Sequence, residues 1–170
     1  MNILIILSIA ILIYAYAKLY LKPKTDVELL QSNLENFDPN LLFEKQPIIL
    51  YDKIVNPKNV IDVFFKYTHN LSHDSIVSPS IEKQNLSKFL IIHNTDDNDQ
   101  MITLTKYLTK IENTERNMFF STVKSQVRNE NMFKIVLPAK NLVIVPYLYT
   151  VKSSIELPAV FLTDLIHVYV

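Results

Sequence analysis

"FKIVLPAKNLVIVPYLYTVKSSIELPAVFLTDLIHVYV", Phe133 to Val170, decides the fold class, because apolar and β-branched residues recur there in short runs broken by polar turns. Pro138, Pro146 and Pro158 sit between or at the ends of the runs, where a missing N–H does least harm to a ladder. The stretch therefore predicts antiparallel β-structure.

The same texture extends upstream through "KFLIIH" (Lys88–His93), "MITLTKYL" (Met101–Leu108) and "NMFFSTV" (Asn117–Val123). Residues 103–116 also fit a helix, since Leu104, Leu108 and Ile111 are suitably spaced, and that segment stays open. Before Ser80 the pattern changes. "NPKNVIDVFFKY" (Asn56–Tyr67) has an N-cap and a proline at the first helical position, with Val60, Ile61, Phe64 and Phe65 as its buried stripe. A short strand is expected after Pro47 in "EKQPIILYDKIV". Thr25 and Glu28 fit a capping box, and Val27, Leu30, Leu34 and Phe37 share a helical face, so a short helix ending at Asp38-Pro39 is expected there.

Ahead of all this lies a segment of a different kind. From Ile3 to Leu21 only Ser8 and Lys18 are neither apolar nor aromatic, enough at about 1.5 Å per residue to approach the ~30 Å hydrocarbon core of a bilayer. The reading is a transmembrane signal-anchor over residues 1–24, with Ile3, Leu4, Ile5, Ile6, Leu7, Ile9, Ile11, Leu12, Ile13, Leu19 and Leu21 in the lipid. Lys18, Lys22 and Lys24 follow the apolar run and meet the headgroups, which by the positive-inside tendency keeps the C-terminal side cytosolic. Tyr14, Tyr16 and Tyr20 suit the interface. A cleaved secretory signal is the competing reading, since Ala15-Tyr16-Ala17 has the small-x-small pattern, although no Lys or Arg precedes the run.

Composition narrows the chemistry further. With Gly 0 and Cys 0 in 170 residues, there is neither a P-loop nor a GxGxxG turn, no GxSxG elbow, no thiolate and no disulfide. Tight turns must use Asn, Asp and Pro, as in "HNTDDNDQ" (His93–Gln100), where Asn and Asp are expected at positive φ. Basic and acidic residues are interspersed after the lysine cluster, so no nucleic-acid-binding surface is expected. Asn70-Leu71-Ser72 and Asn85-Leu86-Ser87 are glycosylation sequons, expected here to be chance occurrences.

Candidate ligands are few. His69 and His73 are four apart but lack an HExxH pattern, and read as a solvated helix end or loop. His93 beside Asp96, Asp97 and Asp99 reads as a hydrated hairpin turn, and Asp164 and His167 as the polar side of the last strand. No catalytic residue, cofactor or metal site is assigned.

The order of elements in "FEKQPIILYDKIVNPKNVIDVFFKY" and in the closing strands resembles cupin-like domains of the JmjC-related group, over Phe43 to Val170. Active members of that group hold iron with an HxD/E pair and a distal His. Here Asn94 and Thr95 follow His93, so the resemblance implies a degenerate, non-catalytic jelly-roll barrel. With the anchor, the cupin-like domain and a composition that lacks Gly and Trp but is rich in Ile, Asn, Lys, Tyr and Phe, as an AT-rich genome encodes, the chain also resembles small membrane-anchored virion proteins of nucleocytoplasmic large DNA viruses. That resemblance implies a minor capsid component joining an internal membrane to the capsid layer.

The expectation is thus an N-terminal transmembrane helix (1–24), a helical linker (25–42) and one mainly-β (α+β) domain (43–170). Its partners would be membrane lipid and a protein layer. The alternatives are a membrane-tethered iron/2-oxoglutarate oxygenase drawing on His93, Asp96 or His167, and a secreted or lumenal β-domain that binds a glycan or receptor.

Overall fold

The computed structural model describes residues 3–20, 26–52, 71–107, 117–123 and 132–164. The helix expected at 56–67, His69, Asn70, His167 and residues 108–116 lie outside them. A helix, α1 (Ile3–Tyr20), precedes eleven strands: β1 (Leu30–Ser32), β2 (Ile48–Leu50), β3 (Leu71–Val77), β4 (Glu82–Asn85), β5 (Phe89–His93), β6 (Gln100–Lys106), β7 (Phe120–Val123), β8 (Met132–Leu137), β9 (Leu142–Pro146), β10 (Tyr149–Ser153) and β11 (Leu157–Thr163).

The strands form two sheets that face each other as a sandwich. The first has the order β1-β2-β9-β5-β11-β3 and the second β7-β4-β10-β6-β8. Among the described residues every pairing is antiparallel except β1 with β2. From β3 to β6, and again from β8 to β11, each successive strand lies in the opposite sheet from the one before. The chain therefore wraps around the core, and contacts between strands distant in sequence hold it closed.

The two sheets differ in how they are buried, and the sequence texture follows. Ile102 and Leu104 of β6 point into the space between the sheets, while Met101 on the same strand is exposed. That is the alternation of a sheet with one solvated face. In the first sheet, Leu90, Ile92, Val143 and Val145 face the inter-sheet core. Phe89, Ile91, Leu142 and Ile144 face the other way, into a second cluster with Ile48, Leu50 and Leu162, covered by Leu34, Phe37, Leu41 and Leu42. Strands covered on both sides cannot alternate, which explains the unbroken runs FLIIH and LVIVP.

The strands expected after Ser80 and after Pro47 are present, and Thr103–Lys106 of the open segment is strand. β3 and β4 carry too many polar residues to announce themselves; their burial patterns show edge-like exposure in β3 and half-burial in β4.

Between residues 26 and 44 the helical expectation is corrected. Leu30–Ser32 is a strand parallel to Ile48–Leu50, and Leu30 N donates to Pro47 O at 2.9 Å. Asp38-Pro39 opens a 3-10 helix (Pro39–Glu44) rather than ending a helix: Asp38 caps it by accepting from Asn40 N at 2.9 Å, with Pro39 in the first turn. Pairing with β2 outweighed local helical spacing, while Leu34 and Phe37 kept their apolar role by covering the first sheet.

The turn chemistry also differs from expectation. The left-handed positions among the described residues are Lys45 (φ 55°), Lys140 (φ 62°) and Leu148 (φ 68°), not Asn or Asp. A side chain bearing Cβ is strained there. Lys45 forms the C-cap of the 3-10 helix, a position glycine favours. Lys45→Gly is expected to raise the unfolding free energy by about 0.5–1 kcal/mol, read as an upward shift in denaturant midpoint at unchanged m-value.

The reading of residues 3–21 as a spanning helix is corrected as well. The described helix is 18 residues, about 27 Å and short of the hydrocarbon core. Among the described residues, no helix is long and apolar enough to cross a membrane. Leu21, Lys22 and Lys24 lie outside the description.

Candidate membrane-facing site

Helix α1 is exposed on every side for most of its length. Ile3 is 80% exposed and Leu12 69%, and Ile5, Ile6, Leu7, Ile9, Ile11, Ile13 and Tyr14 are exposed too. Ala10 and Ala15 are exposed and Ser8 is the one polar residue before Tyr14, so the helix has no polar face to keep toward water. An amphipathic surface helix shows one stripe; a helix apolar all round belongs in an apolar surround. Leu4, Lys18 and Leu19 fall within its backbone span.

One end of α1 is seated on the β domain by a polar contact. Tyr16 Oη donates to Asp164 Oδ1 at 2.7 Å, just beyond β11. Lys88 Nζ donates to Asp164 Oδ2 at 2.7 Å and lies 5.1 Å from the centre of the Tyr16 ring. Lys88 is 5% exposed and Asp164 14%, so this ion pair is shielded from solvent. Three residues distant in sequence, from the helix, the start of β5 and the end of β11, thus fix where α1 leaves the domain. Tyr16 was expected at an interface, and Asp164 on the polar side of the last strand; Lys88 carried no signal, because its partner is 76 residues away.

A second polar cluster closes one end of the sandwich. Gln46 Oε1 accepts from Glu28 N at 3.1 Å and from Tyr149 Oη at 3.3 Å, while Gln46 Nε2 donates to Asp26 O at 2.7 Å. Lys106 Nζ donates to the same carbonyl at 2.9 Å. Burial pushes the Tyr149 phenol well above its ordinary value of 10.0. Because the folded-state pKa lies above the unfolded one, stability is intact below pH 10 and declines as pH rises beyond it. Alkaline denaturant titrations should show an added loss of up to about 1.4 kcal/mol per pH unit above pH 10, absent in Tyr149→Phe.

Along one side, the sheet edges meet through rings. His73 of β3 stacks on Phe119 at 5.0 Å, and Phe120 of β7 stacks on Phe161 at 5.1 Å. Lys83 Nζ lies 4.6 Å from the Phe120 ring and donates to Ser75 Oγ and Ile76 O, each at 2.8 Å; desolvation lowers its pKa. His73 is on a strand and not at the helix end or in the loop expected from the sequence; His69 lies outside the described residues.

The acidic loop is a structural tie between the sheets and not a hairpin, since β5 and β6 lie in different sheets. Asp96 accepts from Gln100 Nε2 at 3.0 Å, Asp99 from Ala139 N at 3.0 Å, and Asp97 pairs with Lys140 at 3.0 Å. Asn94 is buried and donates to Asn98 O, Leu137 O and Pro138 O. His93 lies on the same face of β5 as Phe89 and Ile91, away from the inter-sheet core, and lines a cavity of about 120 Å³ with Asp74, Ser75, Ile91, Pro158, Ala159 and Val160. Among the described residues, no three His, Cys, Asp or Glu side chains are grouped to hold a metal ion.

No known family's sequence pattern matches this chain, and no curated protein matches it.

Proposed function

We propose that α1 attaches this chain to a membrane by burying its apolar surface in lipid, and that the β domain is a non-enzymatic structural module held at that surface for a protein layer. The observation that carries this reading is the helix exposed and apolar on all sides. At about 25 cal/mol per Å² of apolar surface, leaving such a helix in water is unfavourable, and contact with lipid relieves that cost. The Tyr16–Asp164–Lys88 contact then sets how the domain stands on the membrane.

For the domain itself, the order β3-β11-β5-β9 opposite β4-β10-β6-β8 supports a degenerate cupin-like jelly roll, with β1, β2 and β7 as additions at the sheet edges. The outward face of the second sheet supports a protein contact. Met101 pairs with Val136, Met132 lies further along β8, and all three side chains are exposed. In this reading a capsid layer is the partner, lipid is the attachment, and Lys18, Lys22 and Lys24 meet anionic headgroups at the cytosolic, capsid-facing surface.

Flotation of the full chain with phosphatidylcholine vesicles tests the attachment. The chain is expected to float. A full chain that stays folded and remains in the dense fraction overturns the reading.

A further inference from the structure

We infer that the Asn85 sequon stays bare in the native protein, and that the β domain folds where the N-glycosylation machinery does not reach it. Asn85-Leu86-Ser87 is a complete acceptor sequence with no proline at its centre. In the fold, however, Asn85 is 0% exposed at the end of β4.

The atom a glycan would occupy is already in use. Asn85 Nδ2 donates to Val145 O and to Pro146 O, both at 3.0 Å, so both amide hydrogens are committed to the end of β9. Oδ1 accepts from Ser87 N at 3.0 Å, and Ser87 Oγ, also buried, lies within reach of Asn85 Oδ1 and Phe89 O. The main chain adds to the junction: Asn85 O accepts from Leu148 N at 2.8 Å, in the turn where Leu148 takes its positive φ, and Asn85 pairs with Phe120 of β7. One residue thus ties the ends of β4, β7 and β9 to the turn before β10.

Glycosylation would replace one Nδ2 hydrogen with C1 of a sugar. The bond from C1 to a lipid-linked pyrophosphate breaks as the C1–Nδ2 bond forms, and the displaced proton passes to a base. The product lacks one donor and carries a hydrated oligosaccharide where there is no solvent, so the corner cannot close. A folded domain cannot act as acceptor, because the transferase needs the sequon extended and exposed. A chain entering a glycosylating lumen meets the enzyme before it folds, and burial then protects nothing. The native fold therefore points to synthesis on the other side of the membrane. This stands whether or not α1 binds lipid, since a chain that fails to float with vesicles still has an Asn85 that is bare or occupied.

The test expresses the full chain in a eukaryotic cell, once as it is and once behind an added cleavable secretory signal. Occupancy at Asn85 is read by peptide mass spectrometry after enzymatic deglycosylation in heavy-oxygen water, which separates it from Asn70. Folding is read by limited proteolysis. The unaltered chain should be bare at Asn85 and resistant. The redirected chain should be occupied there and cleaved at least roughly tenfold faster, in line with a larger open population, and tunicamycin should restore its resistance. A glycan on Asn85 of a protease-resistant chain in either form overturns the inference. So does a redirected chain that folds with Asn85 bare in the absence of tunicamycin, or one that tunicamycin does not rescue.

Discussion

Ile9→Arg is expected to reduce the partition of the full chain onto phosphatidylcholine vesicles by at least roughly tenfold, because it removes an apolar side chain whose burial contributes about 1.5–3 kcal/mol and puts a charge in its place. Ile9 lies near the middle of α1, is exposed, and appears in no apolar core cluster of the β domain. The substitution should therefore leave the denaturant midpoint of the β domain within about 0.5 kcal/mol of the parent, as for surface changes generally. Separation of the two readouts is the point of the experiment. If partition is unchanged while stability is unchanged, the apolar surface of α1 is not what meets lipid. If stability falls with partition, α1 belongs to the fold more than its exposure indicates. Ile9→Leu is the control and should float like the parent.

Asp164→Ala should destabilise the domain by about 3–5 kcal/mol, the cost of removing one partner from a buried ion pair. The charge of Lys88, 5% exposed, would lose the carboxylate it meets at 2.7 Å, and Tyr16 Oη would lose the hydrogen bond to Asp164. The paired replacement Lys88→Met with Asp164→Leu is expected to recover most of that loss, since well-packed apolar groups often substitute for a buried pair without penalty. Tyr16→Phe removes only a hydroxyl and should cost about 1 kcal/mol. The three variants together separate a contact that holds the fold from one that only orients the helix. Were Asp164→Ala as stable as the parent by chemical denaturation, the ion pair would be a surface contact and the seat of α1 would have to lie elsewhere.

Much of the architecture was legible because it rests on local pattern. Runs such as LVIVP and FLIIH announce strands wherever they pair, since β-branched residues fit a pleated and buried surface. The apolar character of residues 3–17 and the lack of any glycine-dependent or thiol chemistry likewise follow from composition alone. The segment at 26–44 shows where such reasoning stops. Leu30, Leu34 and Phe37 have helical spacing, but β2 offers Leu30–Ser32 a full row of backbone partners, and that pairing depends on residues 18 positions away. Spacing grouped Leu34 and Phe37 on one helical face; they are partly buried against the first sheet, but no helix carries them there.

The sequence by itself determined that the domain is built of short strands and that its first helix is apolar on every side, because both are properties of neighbouring residues. Only the tertiary structure decided which strands share a sheet, that Lys88, Asp164 and Tyr16 converge, and that the acceptor nitrogen of Asn85 is consumed by Val145 and Pro146. Those outcomes depend on burial and on hydrogen bonds spanning 60 to 148 positions along the chain, and a buried polar group must find its partner wherever the fold places one.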